Sequence, residues 1–225
     1  MLRVLQSGDR PTIIMSVFAY LMIIFLITPL HEFAHAWAAY KMGDDTAKLS
    51  GRLTLNPFAS MDPMGTIALL VCGFGWGKPV PVNPLRFKKY RKGLALTAAA
   101  GPISNLIAAI IGMIGEKFAY AAAYINGSEK MYYLYIMLNM FTTINIGLAI
   151  FNLIPIPPLD GQKILAYFTN KKIDDWMYRH MMYLQGAMLI VLYATPVLGI
   201  VRNGAYNGLS FLLSFVDKIA WSVLS

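Results

Sequence analysis

An uncharged and overwhelmingly apolar run, Ile13 to Leu30, leads directly into His31-Glu32-Phe33-Ala34-His35. A run of this length is suited to a membrane helix. HExxH on a helix sets two imidazoles one turn apart on the same face, where both can reach one Zn²⁺. It leaves the Glu beside them as a general base for an activated water. Chance explains such a motif poorly here, because two His and a Glu at the rim of a hydrocarbon span carry an insertion penalty that some interaction must offset.

Composition narrows the class. Of 225 residues, 57% are hydrophobic and 13% charged, against about 25% charged in soluble domains. The expectation is one polytopic membrane domain over 1–225, with little room for a soluble domain. The net charge of +8 belongs to short loops, where Lys and Arg orient membrane proteins, and nucleic acid is not the expected partner. The single cysteine, Cys72, excludes an internal disulfide and reads as a small apolar residue. The first run follows Arg3 and Arg10 as a signal peptide would, but it is too long and passes straight into the motif, so it is expected to be retained.

Hydrophobic segments fall at Ile13–Leu30 (continuing as helix to about Met42), Gly65–Gly77, Leu94–Ile114, Met131–Ile154, Met181–Ile200 and Leu209–Leu224. The fold expected is all-α, with about six transmembrane helices. Gly65–Gly77 is too short to cross and runs into GFGWGKPVPVNP, which predicts a re-entrant hairpin. With the first helix ending in the cytoplasm, the stretches around Lys41–Arg52, Lys78–Lys92 and Lys163–Arg179 share that side and hold most of the 19 basic residues.

A catalytic zinc takes three protein ligands and leaves one position open. A third His six residues after His35 is absent, since position 41 is Lys. Glu116 and Glu129, the only later glutamates, are assigned to a loop on the far face. His180 reads as a headgroup-level residue. Asp44, Asp45, Asp62, Asp174 and Asp175 sit in polar loops and read as solvated. Asp160 differs, because it ends the apolar run Asn152-Leu-Ile-Pro-Ile-Pro-Pro-Leu-Asp160-Gly161, where a carboxylate is costly unless paired or metal-bound. The prolines break the helix, so Asp160 is expected on an unwound segment on the same side as His35. A protonated Asp in a capped turn is the alternative.

These motifs taken together, HExxH, Gly101-Pro-Ile-Ser-Asn105 and the Asn152–Gly161 stretch, resemble the site-2 protease family of intramembrane zinc metalloproteases. GRLTLNP (Gly51–Pro57) and DPMGT (Asp62–Thr66) fit its compact bacterial and archaeal branch without PDZ or CBS domains. The likeness covers residues 12–165, and the spans within 181–224 are additional. The resemblance implies one Zn²⁺ per chain held by His31, His35 and Asp160, with Glu32 as proton carrier. It offers Asn105 as a donor to the oxyanion or the substrate backbone, although Gly101 and Asn105 could equally be packing residues between helices. Asn145 and Asn152 lie two turns apart and could line a polar path, while Asn152 could cap the broken helix end. Leu53-Thr54-Leu55 is strand material that could pair with an unwound substrate, or a plain loop. Pro29 cannot donate to the Phe25 carbonyl, so a kink or an accessible carbonyl is expected before His31.

The implied function is hydrolysis of peptide bonds within or near the transmembrane segments of other proteins. The implied setting is the bilayer of a prokaryotic plasma membrane, with the active site toward the cytoplasm. The rival class is a metal or proton transporter, since intramembrane His and Asp also mark ion pathways. Glu32 separates the two: water activation needs a base beside the first His, and a transport site does not.

Overall fold

Small side chains decide how this chain packs. The computed structural model describes residues 10–72 and 75–224 and is built of helices, with no strand among the described residues. α1 (Arg10–Met22) continues through a π-helical turn, Ile23–Ile27, into α2 (Thr28–Lys41), which carries the HExxH residues. The wide turn lies directly before Pro29, whose ring has no N–H to give and crowds the preceding turn. The Thr28 N–H reaches back five residues to Ile23 O, so the irregularity expected at Pro29 takes the form of a widened turn.

α3 (Thr46–Leu49) and α4 (Pro57–Ser60) are single turns. Between them residues 50–56, Leu53-Thr54-Leu55 included, run through turns and bends with no ladder partner among the described residues. α5 (Pro63–Cys72) has 10 residues, about 15 Å of helix, half of a hydrocarbon core. The chain then returns as an extended segment. A Cβ on Gly65 would lie 2.0 Å from Trp76 O, and one on Gly75 would lie 2.2 Å from Gly65 O, so only glycine lets the two legs touch. Lys78 N–H to Ser60 O, 2.9 Å, closes the base of this expected hairpin. Residues 73 and 74, the Cys72 side chain and Arg3 lie outside the described residues.

α6 (Tyr90–Asn126) is 37 residues long. Its buried positions, Thr97 and Ala98, Gly101 and Pro102, Asn105, Ala108 and Ala109, Gly112, recur every three to four residues. The large side chains Ile103, Ile107 and Ile111 face outward. This is the membrane pattern, in which small residues let backbones approach and bulky ones meet lipid. Gly127, in the left-handed conformation at φ +58°, ends the helix, and Ser128 caps the next one, α7 (Glu129–Leu153).

The reading that ended this span at Ile114, with Glu116 in a far-side loop, is corrected here. Glu116 is buried within α6 and accepts hydrogen bonds from the Tyr206 hydroxyl and from Asn139 Nδ2 at 3.0 Å. Lys117 pairs with Asp217 at 2.7 Å. With partners supplied by neighbouring helices, the charges do not force the helix to stop.

After α7 the prolines at 155, 157 and 158 break the chain. α8 (Asp160–Phe168), α9 (Lys171–Arg179), α10 (Met181–Ala194), α11 (Val197–Leu212) and α12 (Ser214–Leu224) follow. Three described helices, Val17–Lys41, Tyr90–Asn126 and Glu129–Leu153, are long and apolar enough to cross a membrane. Met181–Leu192 and Val197–Leu212 pass together, bent by 70°, and bring the number to four if they count as one span. The expected uninterrupted Met181–Ile200 is broken at Thr195-Pro196, and the last segment is divided at Leu213. The all-α membrane architecture holds, with three or four helices of full crossing length among the described residues.

The three basic stretches meet at one end of the bundle. Arg86 pairs with Asp45, Arg52 Nη2 donates to Lys78 O at 2.7 Å, and Arg91 donates to Thr169 O.

Candidate metal centre and active site

His31 and His35 project from one face of α2, with ring centroids 4.6 Å apart. α6 lies so close beneath them that a Cβ on Gly101 would sit 2.4 Å from His35 Nε2 and 2.5 Å from His31 Cε1. Gly101 is therefore the floor of the site as well as a helix-packing residue. Asp160 opens α8 instead of lying on an unwound segment. The loop before it is unwound, and the helix begins at the carboxylate, where the helix dipole favours negative charge. A Cβ on Gly161 would lie 2.2 Å from Leu153 O, so glycine lets this turn fold back onto the end of α7.

These elements bring three donor atoms together. Asp160 Oδ2 lies 3.3 Å from His31 Nε2 and 3.1 Å from His35 Nε2, and the two Nε2 atoms are 3.0 Å apart. His35 Nδ1–H donates to Thr97 O at 2.7 Å. That bond fixes the tautomer and turns the Nε2 lone pair toward His31 and Asp160. His31 Nδ1 is buried and makes no such bond among the described residues. Burial works to raise the Asp160 pKa, but the hydrogen bonds with His31 and His35 and the charges of His35 and Lys163 outweigh it. The carboxyl is held well below the usual carboxylate range. Lys163 Nζ lies 3.2 Å from the other oxygen, Oδ1.

Lone-pair donors converging in this way repel one another unless a proton or a metal ion lies among them. Zinc–ligand bonds of about 2.0–2.2 Å in a tetrahedron place ligand atoms about 3.3 Å apart, close to the separations found. His31, His35 and Asp160 can therefore hold one metal ion, each through one atom.

The fourth side opens into a cavity of about 410 Å³, bounded by Glu32, Val80, Val82, Leu94, Asn152 and Lys163, among others. Glu32 Oε2 accepts the Val80 N–H at 2.9 Å. Asn152 reaches the cavity wall, with its amide nitrogen bonded to Leu148 O at 3.0 Å in its own helix. Asn105 does not reach the wall. It is fully buried one turn beyond Gly101, and neither Oδ1 nor Nδ2 has a hydrogen-bond partner among the described residues. Asn145 is buried too and donates to Phe141 O at 2.9 Å, and it is not part of the cavity lining. His180 donates to Trp176 O at 2.8 Å and stacks on that indole, apart from the site.

Asp44 was overlooked. Read from the sequence as a solvated loop residue, it is fully buried, and Oδ2 accepts the Asn83 N–H at 2.6 Å. The following Thr46, in an Asx-turn pattern, was the one available signal.

The Bacillus subtilis protein named "Putative zinc metalloprotease YwhC" is 42% identical over 190 residues, which cover 81% of this chain and 84% of that protein. The chain belongs to peptidase family M50. The family profile, Peptidase family M50, matches residues 118–193, a stretch that includes Asp160. Rip2 of Mycolicibacterium smegmatis, named in the same terms, is 28% identical over 206 residues, covering 84% of this chain and 72% of its own. Rip2 of Mycobacterium tuberculosis strain H37Rv is 26% identical over 190 residues, covering 82% and 68%. No solved structure matches. The resemblance to the site-2 proteases is thereby established as family membership, and the M50 chain is a membrane protein of a metalloprotease family.

Proposed function

We propose that this chain is an intramembrane zinc endopeptidase that hydrolyses peptide bonds within or near the transmembrane segments of other proteins. The observation that carries this reading is a single one: a general-base candidate, Glu32, faces the same cavity as three converging metal donors at the end of a membrane helix. A transporter needs the donors but not the Glu.

In this reading His31, His35 and Asp160 hold one Zn²⁺, which when bound supplies Lewis-acid activation of water and of the scissile carbonyl. The chain's own groups do the rest. Glu32 takes a proton from water at its free carboxylate oxygen and returns it to the leaving amine. Thr97 O holds the His35 ring in register, and Lys163 neutralises the Asp160 oxygen turned away from the imidazoles. Asn152 lines the space that a substrate backbone would occupy, while Asn105 takes no part in it. Among largely apolar walls the cavity presents polar groups of Glu32, Thr97, Asn152 and Lys163, which can meet the exposed backbone groups of an unwound substrate segment.

Zinc content and cleavage of a model membrane segment test the assignment together. Asp160→Ala is expected to lower zinc affinity by more than about tenfold, because even outer-shell partners of a zinc site are worth 10- to 100-fold. Activity should fall with it. Normal zinc occupancy in Asp160→Ala would refute the ligand set.

We also place the site toward the cytoplasm of a prokaryotic plasma membrane. Three basic stretches gathered at one end of the bundle support this by the positive-inside rule. In a chain with Cys72 replaced, Lys89→Cys is expected to stay unlabelled by an impermeant thiol reagent on intact cells and to react after lysis. Labelling before lysis would reverse the orientation.

A further inference from the structure

The extended segment that returns from the hairpin passes along the mouth of the cavity and is tied at four points. Lys78 N–H donates to Ser60 O at 2.9 Å, and Arg52 Nη2 to Lys78 O at 2.7 Å. Val80 N–H donates to Glu32 Oε2 at 2.9 Å, and Asn83 N–H to Asp44 Oδ2 at 2.6 Å. The Val80 contact is the one hydrogen bond that Glu32 makes among the described residues. A carboxylate on a flexible side chain has several rotamers, and a fixed N–H selects one of them.

The far anchor is equally specific. Burying a carboxylate costs several kcal/mol unless donors compensate for the lost water. Asp44 has three: Thr46 N–H at 3.0 Å and the Thr46 hydroxyl on Oδ1, and Asn83 N–H on Oδ2. One oxygen thus caps the turn that follows α2, and the other grips the segment. Glu32 lies in α2, and Asp44 follows it and is tied back to it by Asp44 N–H to Ala39 O at 2.9 Å, so both ends of the Val80–Asn83 stretch are referred to α2 and its C-terminal turn.

We propose that Val80 and Asp44 are positioning residues for catalysis. Asp44 fixes the segment through Asn83, and the segment aims the Glu32 carboxylate through the Val80 N–H. The proposal rests on Glu32 being the general base.

Two substitutions interrupt the relay at different points. Val80→Pro deletes the N–H from a stretch that already carries prolines on either side. Asp44→Asn keeps shape, yet either orientation of the amide sets a donor against a donor, at Asn83 or at Thr46. Each full-length variant is measured for zinc content and for kcat and KM on a model membrane segment, beside Glu32→Gln.

Both are expected to keep one zinc and an unaltered KM while kcat falls by about 10- to 100-fold, as a base displaced by an ångström requires. Wild-type kcat in both, with Glu32→Gln inactive, would overturn this proposal and leave the assignment of Glu32 intact. Loss of zinc along with activity in both would also overturn it, because the segment would then be scaffold. A fall confined to Val80→Pro would remove Asp44 from the relay and keep Val80. Full activity in Glu32→Gln would overturn the assignment of the base and the relay with it.

Discussion

Glu32→Gln is expected to yield a folded protein with one zinc and cleavage reduced by about 10²- to 10⁴-fold, the usual contribution of a general acid–base group. The substitution is nearly isosteric. The Gln carbonyl can still accept the Val80 N–H, which at 2.9 Å would hold the side chain where the carboxylate lies. The three donor atoms belong to other residues, so zinc content should be unchanged. What is lost is the ability to accept a proton from water and return it to the departing amine. Zinc analysis of the purified variant and a time course on a model membrane segment would measure both. Cleavage within a fewfold of wild type would sink the role of Glu32 and bring the transporter reading forward.

Gly101→Ala is expected to lose zinc and activity together. The added methyl would lie 2.4 Å from His35 Nε2 and 2.5 and 2.6 Å from His31 Cε1 and Nε2, distances at which atoms must move apart. Overpacking of this kind costs about 1–3 kcal/mol. Here the displaced atoms are two of the three donors, so the strain is relieved at the expense of the metal site. Gly204→Ala is the control, because a Cβ there meets nothing within 4 Å. It should bind zinc and cleave as wild type does. Full zinc occupancy in Gly101→Ala would show that α6 can retreat from α2, and that Gly101 serves helix packing alone.

The parts of the molecule legible in the sequence were those with strong local chemistry. HExxH at the end of an apolar run pointed to the helix and the donors, and the cost of a carboxylate in Asn152–Gly161 singled out Asp160. The hairpin was readable from its length and glycines. What escaped was set by partners distant in sequence. Glu116 reads as a loop residue until Tyr206 and Asn139 are seen to satisfy it, and nothing near Asp44 announces that Asn83 will bury it. At Pro196 a local break interrupts a helix that the continuous hydropathy signal gave as unbroken. Asn105 sits in a motif, yet its burial depends on how α6 packs, which one helix's sequence does not state.

The extended segment beside the cavity is a poor edge for a second strand. Extended backbone beside a pocket would ordinarily template a β-ladder, since its free N–H and C=O groups invite a new strand. Between Pro79 and Pro84 the non-proline residues are Val80, Val82 and Asn83. Two of their N–H groups are already engaged by Glu32 and Asp44. Only Val82 remains to donate, and proline cannot extend a ladder on either side of it. The segment's carbonyls can still accept, but with one N–H left to give this wall cannot supply the alternating donors and acceptors of a full ladder, so a second strand finds no template along it.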